Sequence, residues 1–299
     1  MLTRTLNDLP FLSQSKTLDP VASDWASRVV ANGGPLPSSA YQKAVSDLVI
    51  GLKTDSVWSK FIYLNGIVPG PVTGVSMPAS SWWAPCTPIL VGPTNAAWPD
   101  RNGNSWASSA PNGTAGVDLN GTIAMNFGLD VSPLSIWSSA TNIGVSVYVD
   151  NATLTNKDVL GATNNGSNWL ELMVTTTGSG LFEPQCGARS NFPTLTGFAG
   201  YYSMNRASTA RMDLFAANST NPHSSIFAET ATDTTDPRTN RLLMYGDINT
   251  SSTSYPISAG GTISGLSMAA GHLAFNASES ALVYSRFHTF RQAIGGGFA

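Results

Sequence analysis

The sequence predicts a mainly β protein: an antiparallel β-sandwich of jelly-roll type, preceded by a small N-terminal helical module and closed by a C-terminal helix packed on the sandwich. Three observations carry that expectation. Between residues 116 and 261, short runs of β-favouring or alternating residues are separated by polar turn clusters. After residue 65 the composition changes abruptly from helical periodicity to proline and tryptophan. Near the C-terminus, Val283, Phe287, Phe290 and Ile294 fall at i, i+4, i+7 and i+11, which is one face of an α-helix.

Taken in order, residues 1–19 read as an irregular arm. Asp19-Pro20 can start a helix, because proline is tolerated in the first turn. Val21, Trp25, Val29 and Val30 then mark one apolar face, and Asn32-Gly-Gly34 ends the helix. A second helix is expected from Ser38 or Ser39 to about Leu52, with Val45, Leu48, Val49 and Leu52 inward. A third short helix is expected from Thr54-Asp55, with Val57, Trp58, Phe61 and Ile62 as its apolar side. Residues 1–65 thus form an arm and docking module too small to bury its own faces well. Trp25, Val29, Trp58 and Phe61 are its candidate contacts with a partner or a second copy.

Residues 66–115 form a connection that wraps the sandwich. Prolines crowd Val68-Pro-Gly-Pro71 and the run from Pro78 to Pro111, with Trp82, Trp83, Trp98 and Trp106 between them. Residues 116–299 hold the sandwich. Ile143–Val149 alternates as a half-buried strand should, and Trp169–Val174, Gly200–Met204, Ala210–Phe215 and Arg241–Tyr245 follow. Turn clusters sit at Asn164-Asn-Gly166, Gly178-Ser-Gly180, Asn218-Ser-Thr220 and Ser258-Ala-Gly-Gly261. A strand over His272–Phe275 and a cap at Ser278 introduce the closing helix, 278–294, which Gly295-Gly-Gly297 terminates.

Composition excludes several functions. Of 299 residues, 42% are hydrophobic and 11% charged, against about 25% charged in an ordinary globular domain. Aromatics are plentiful, so the chain folds, and its surface is solubilised by hydroxyls and amides. A net charge of −3 without a Lys/Arg cluster offers nucleic acid no footprint. No segment is apolar enough to span a membrane. The first residues lack a basic stretch followed by an apolar one, so no signal peptide is expected. Cys86 and Cys186 are too few for a disulfide framework and read as two thiols.

The layout and several short motifs resemble phage virion proteins that carry a concanavalin A-like (laminin G-like) sandwich. Asp19-Pro20, Lys43-Ala-Val45 and Leu48-Val-Ile-Gly-Leu-Lys53 stand where that group has its N-terminal helical signature. Gly116-Val-Asp-Leu-Asn-Gly-Thr122 leads into the first strands. The group's closing helix runs Ser-x-x-Glu-x-x-x-Leu-Tyr to Ala-x-Gly. Here Ser278-Glu-Ser-Ala-Leu-Val-Tyr284 and Ala293-Ile-Gly295 match it, with the glutamate early. The resemblance implies a non-enzymatic structural protein of a bacteriophage virion, of tail, fibre or head-decoration type. It would be made in the host cytoplasm, docked on other virion proteins by its arm and helices, and present in multiple copies. The alternative is a carbohydrate-binding adhesin that recognises a host surface glycan, with Trp82, Trp83, Tyr201 and Tyr202 as sugar platforms.

No constellation for chemistry emerges. Related glycanases carry Glu-x-Asp-x-x-Glu on one strand, and no run of this chain reproduces it: Glu171, Glu183 and Glu229 are isolated, and Asp233 and Asp236 lie in a Thr/Asp run. His223, His272 and His288 lack metal-ligand spacing, so neither catalysis nor a cofactor is expected. A Ca²⁺ site at a loop rim would use Asp130, Asp150 or Asp247, but the Asp-x-Asn spacing at 247–249 is too common to assign one.

Overall fold

The computed structural model describes residues 17–31, 36, 38–66, 82–83, 117–119, 137–149, 157–164, 168–175, 181–187, 189–190, 199–234, 236, 243–244 and 263–294. Two helices come first, α1 (Pro20–Ala31) and α2 (Ser39–Thr54). A short 3-10 turn (Trp58–Lys60) leads into β1 (Phe61–Gly66), followed by β2 (Trp82–Trp83), β3 (Val117–Leu119) and β4 (Ile143–Val149). Next come β5 (Lys157–Asn164), β6 (Asn168–Thr175), β7 (Leu181–Gly187) and β8 (Arg189–Ser190). Then follow β9 (Gly200–Ser208), β10 (Arg211–Asn218), β11 (Ser224–Glu229), β12 (Leu243–Met244), β13 (Ile263–His272) and α3 (Ala277–Ala293).

The strands form an antiparallel β-sandwich. One sheet has the order β11-β10-β9-β4-β13-β1-β2, and β3 also pairs with β13; the other runs β12-β5-β6-β7-β8. β5 approaches both β4 and β13, which brings the two sheets together. β13 is the spine of the larger sheet. β4 lies along one side, while β3 and β1 share the other, pairing its first and last halves respectively.

All seven residues of β4 are buried, not alternate ones. The register explains why. Ser146 faces Ser203, Tyr148 faces Tyr201, and Gly144 lies between Asn205 and His272, so these residues share one side of the sheet. α3 covers that side: Phe287 meets Tyr201 edge-on at 6.1 Å and Phe61 at 6.2 Å. The opposite side is apolar, with Val145, Val147, Met204 and Leu214 all buried. A strand covered on both faces keeps its alternation only as small and polar against branched.

The helices form one layer. Trp25 of α1 packs on Tyr41 of α2 at 5.6 Å, and Tyr41 meets Phe290 of α3 edge-on at 5.9 Å. Gly51 of α2 lies under Arg286 of α3, where a Cβ would come within 2.7 Å of the arginine side chain. Arg286 in turn grips Asp55 through two hydrogen bonds of 2.7 and 2.9 Å, a bidentate pair. Lys60 reaches Glu279 at 2.6 Å. The helical segment is therefore joined to the sandwich through α3.

Local signals set the helix ends. Asp19 Oδ1 accepts the Val21 N–H at 3.0 Å, and Ser38 Oγ accepts that of Tyr41 at 3.2 Å. At the end of α2 the N–H groups of Ser56 and Val57 reach back to the carbonyls of Lys53 and Leu52. Ser56 takes the left-handed conformation there, with φ of 60°. Ser56→Gly removes that strain, and urea unfolding should show a gain of about 0.5–1 kcal/mol.

Three expectations need correction. The third helix is absent: after the 3-10 turn Phe61 enters β1, because pairing with β13 satisfies the backbone of this aromatic and β-branched run. The last strand is Ile263–His272, so only His272 of the expected His272–Phe275 segment belongs to it. The cap of α3 is Asn276 rather than Ser278. Asn276 Oδ1 accepts the Glu279 N–H at 2.9 Å, and the Glu279 carboxylate accepts the Asn276 N–H at 2.9 Å, a reciprocal capping box.

Gly144 has no room for a side chain. A Cβ there would fall 2.2 Å from the His272 ring and 3.1 Å from Asn205 Oδ1. The ring cannot swing aside, since Ser146 holds its Nε2 at 2.6 Å and the Leu273 carbonyl its Nδ1 at 2.8 Å. Gly144→Ala should cost about 1–3 kcal/mol by overpacking, read as a lower denaturation midpoint.

Candidate functional site

Among the described residues, an open cleft with a mixed lining is built from the β10–β11 hairpin and α3. The hairpin turn Asn218–Asn221 is closed by reciprocal backbone bonds, Asn218 N–H to Asn221 O at 2.9 Å and Asn221 N–H to Asn218 O at 3.2 Å. Asn218 Oδ1 then accepts four more bonds of 2.8–3.0 Å, from the N–H and Oγ1 of Thr220 and the N–H and Nδ2 of Asn221. This is an Asx-type turn at full occupancy.

α3 contributes Ser280, Tyr284 and His288, which share one stripe because they are spaced four residues apart. His223, just after the turn, meets Ser280 Oγ through Nε2 at 3.0 Å. A column of rings follows. Phe215 stacks on His223 at 5.8 Å, and His223 on Tyr284 at 5.9 Å. Tyr284 meets His288 at 5.6 Å, and His288 meets Tyr148 at 6.1 Å with its Nδ1 2.5 Å from the Tyr148 hydroxyl. Burial holds the His223 imidazole below its ordinary value and the Tyr284 phenol above its own.

Between turn and helix lies a cleft of about 300 Å³, lined by Asn218, Ser219, Thr220, Asn221, Pro222, Tyr284 and His288. Tyr284 and His288 are half-buried, and residues 219–222 are exposed. The cleft combines aromatic surface on one wall with amides and hydroxyls on the other.

Beneath it runs an enclosed polar network. Ser146 Oγ lies 2.6 Å from His272 Nε2 and 2.8 Å from Ser203 Oγ. Tyr201 OH approaches Ser280 Oγ at 3.3 Å, and Asn205 Oδ1 accepts the Phe275 N–H at 2.7 Å. The Leu273 carbonyl can only accept, so Nδ1 of the neutral ring carries the hydrogen and Nε2 faces the Ser146 hydroxyl with its lone pair. That is the spacing of a nucleophile and its base, but Ser146 and His272 are both 0% exposed. A substrate cannot reach them, and the network serves to satisfy buried polar atoms. Burial lowers the His272 pKa to about 3.

Tyr201 and Tyr202 were expected as sugar platforms. Both are 0% exposed, and burial pushes both phenols up. They belong to the core, on opposite sides of a sheet covered on both faces. Trp82 and Trp83 form β2 beside Asn65 and Leu64; their side chains lie outside the described residues. Among the candidate docking residues, Trp25 and Phe61 are covered within the chain at 0% and 1% exposure, and Trp58 is half-buried. The side chain of Val29 lies outside the described residues, as do Cys86, Asp130, Asp150, Asp247 and the side chain of Cys186.

The acidic candidates separate. The Glu229 carboxylate accepts the N–H groups of Thr230 and Ala231 at 2.8 Å. Asp233 is buried, and its carbonyl accepts from Arg206 Nη2 at 2.7 Å. In the backbone register of β6 and β7, Glu171 pairs with Gln185 and Glu183 with Met173; the side chains of Glu171 and Glu183 lie outside the described residues. No group of three or more His, Cys, Asp or Glu that could hold a metal occurs among the described residues.

Sequence reasoning missed the cleft. The signal that could have found it is the second stripe of the closing helix, Ser280, Tyr284 and His288, beside the apolar one.

No protein-family model and no curated protein sequence matches the chain. Several solved structures do. The binding domain of Paraclostridial Mosquitocidal Protein 1 aligns with a TM-score of 0.42 and 9% identity over 77% of this chain and 53% of that one. A GH54 α-L-arabinofuranosidase gives 0.40 and 10% over 76% and 48%. The CBM40 domain of a Ruminococcus gnavus IT-sialidase, solved bound to α2,3-sialyllactose, gives 0.35 and 12% over 57% and 97%. The chain spans about half the length of the first two. Similarity this remote assigns neither family nor activity.

Proposed function

We propose that the chain is a non-enzymatic β-sandwich that binds glycan in the cleft between the 218–222 turn and α3. The cleft itself carries the reading. A pyranose ring has a C–H face that packs on an aromatic side chain and a rim of hydroxyls that needs planar amides and hydroxyls. Tyr284 offers the first, and Ser219, Thr220 and Asn221 the second. The test is a glycan array followed by calorimetry on the full chain. Wild type is expected to bind at least one oligosaccharide, and Tyr284→Ala to weaken it about tenfold or more. Binding that ignores Tyr284→Ala, or no binding at all, would overturn the reading.

The same samples test the absence of enzymatic activity. Release of reducing ends from the bound glycan, abolished by Glu171→Gln, would turn the protein into a hydrolase. We expect no release.

The setting we propose is a bacteriophage virion, with the helical layer or the arm before it as the attachment to other virion proteins. Its support is the resemblance of the N-terminal and closing motifs and the low-charge surface. Full-length protein should co-sediment with assembled particles; protein left in the supernatant as a monomer would count against it.

A further inference from the structure

We infer that the cleft selects uncharged, hydroxyl-rich sugars and turns away those carrying carboxylate or sulfate, an inference that rests on the glycan-binding reading above. The lining contains no Lys, Arg, Asp or Glu. Anion recognition draws on charge-assisted donors, above all the arginine fork, and His288 is the one lining residue able to carry a positive charge.

The turn's own hydrogen bonding sharpens this. The Thr220 hydroxyl donates to Asn218 Oδ1, and the Asn221 amide spends its donors on Asn218 Oδ1 and Thr220 Oγ1, each at 2.9–3.0 Å. The backbone N–H groups of Thr220 and Asn221 also point inward to Asn218. Thr220 and Asn221 are left offering acceptors to the cleft. Asn221 Oδ1 has no partner among the described residues, and Thr220 Oγ1 keeps a lone pair. An acceptor-rich rim matches sugar hydroxyls, which donate, and repels carboxylate or sulfate oxygens, which cannot. Tyr284 adds a face suited to C–H groups rather than to an anion, since the face of an aromatic ring is its negative side.

The experiment measures the full-length protein against paired glycans, each neutral oligosaccharide beside its sialylated, uronate or sulfated counterpart, at about pH 8. The neutral member of each pair is expected to bind about tenfold or more tightly than its anionic counterpart. Ser219→Lys places a cation on the rim without touching the Asn218 network, because Ser219 is exposed and makes no hydrogen bond among the described residues. It should erase or reverse the preference. Tyr284→Ala should remove binding to both members.

Equal or tighter binding of the anionic members, still lost in Tyr284→Ala, would overturn the selectivity and leave glycan binding intact. Displacement of the sugar by tetramethylammonium would overturn it too, since the acceptors and the ring would then be reading a cation. Failure of every glycan to bind would overturn both statements together.

Discussion

Phe287→Ala is expected to remove about 3–5 kcal/mol of stability, the range for truncating a fully buried phenylalanine. Phe287 is 0% exposed and sits where α3 meets the larger sheet, between Phe61 of β1 and Tyr201 of β9. The cavity cannot close easily. Phe61 is pinned by Phe275 at 5.6 Å, and the Tyr201 hydroxyl lies within reach of Ser146 and Ser280. Denaturant unfolding of wild type and variant gives the difference directly. Leu282→Ala, one residue past Ala281 on the same helix but 39% exposed, should change stability by less than about 0.5 kcal/mol. A loss below about 1 kcal/mol for Phe287→Ala would mean that α3 is not seated on the sheet as described. Because Tyr284 stands one turn away on the same helix, glycan affinity should fall alongside.

Acid should destabilise the protein well above the range where carboxylates titrate. His272 is buried and neutral, with its pKa lowered from 6.5 to about 3 chiefly by burial, and the nearby Lys60 adds to the effect. The unfolded chain therefore binds a proton that the folded chain refuses between pH 6.5 and about 3. Stability contributed by this group is complete above pH 6.5 and is lost as pH falls through that window, at up to about 1.4 kcal/mol per pH unit. His223, lowered by burial in the same direction, adds to the slope. Unfolding curves collected between about pH 7.5 and 4 measure it. A flat profile, or His272 imidazole resonances that titrate near the ordinary value in the folded protein, would contradict the enclosed network.

Much of the fold was legible from residues, for reasons that can be named. α1, α2 and α3 were found because each combines an apolar stripe with a cap or a breaker. Ile143–Val149 was found residue for residue because its alternation is uninterrupted. β13 was mostly missed, since Ala269-Ala-Gly271 carries almost no hydrophobic pattern. β1 was read as helix because Val57, Trp58, Phe61 and Ile62 also fit a 3.6 period, and strand pairing overrode it. Such a short apolar run carries both signals. The site was less legible. Tyr201-Tyr202 resembled an exposed aromatic pair, and only a sheet covered on both faces, with α3 over Tyr201, puts both rings inside. The cleft depends on bringing the 218–222 turn to a helix that begins 55 residues later, a juxtaposition that no local pattern announces.

The pairing of β1 with β13 has a temporal consequence. Lys60, at the entry to β1, reaches Glu279 across 219 residues of chain, and the spine of the larger sheet is laid down only after the twelve other strands among the described residues have been made. A ribosome releasing this chain in order delivers β1, β4 and β9 long before the strand that joins the first two. Until β13 arrives those edges stand open, and the aromatic faces that α3 covers stay wet. Folding dominated by such distant contacts is slow, so refolding should be sensitive to protein concentration, with aggregation competing. The same closure works in reverse once complete: the sheet cannot lose one end without unseating the other, and unfolding should proceed as a single cooperative event with α3.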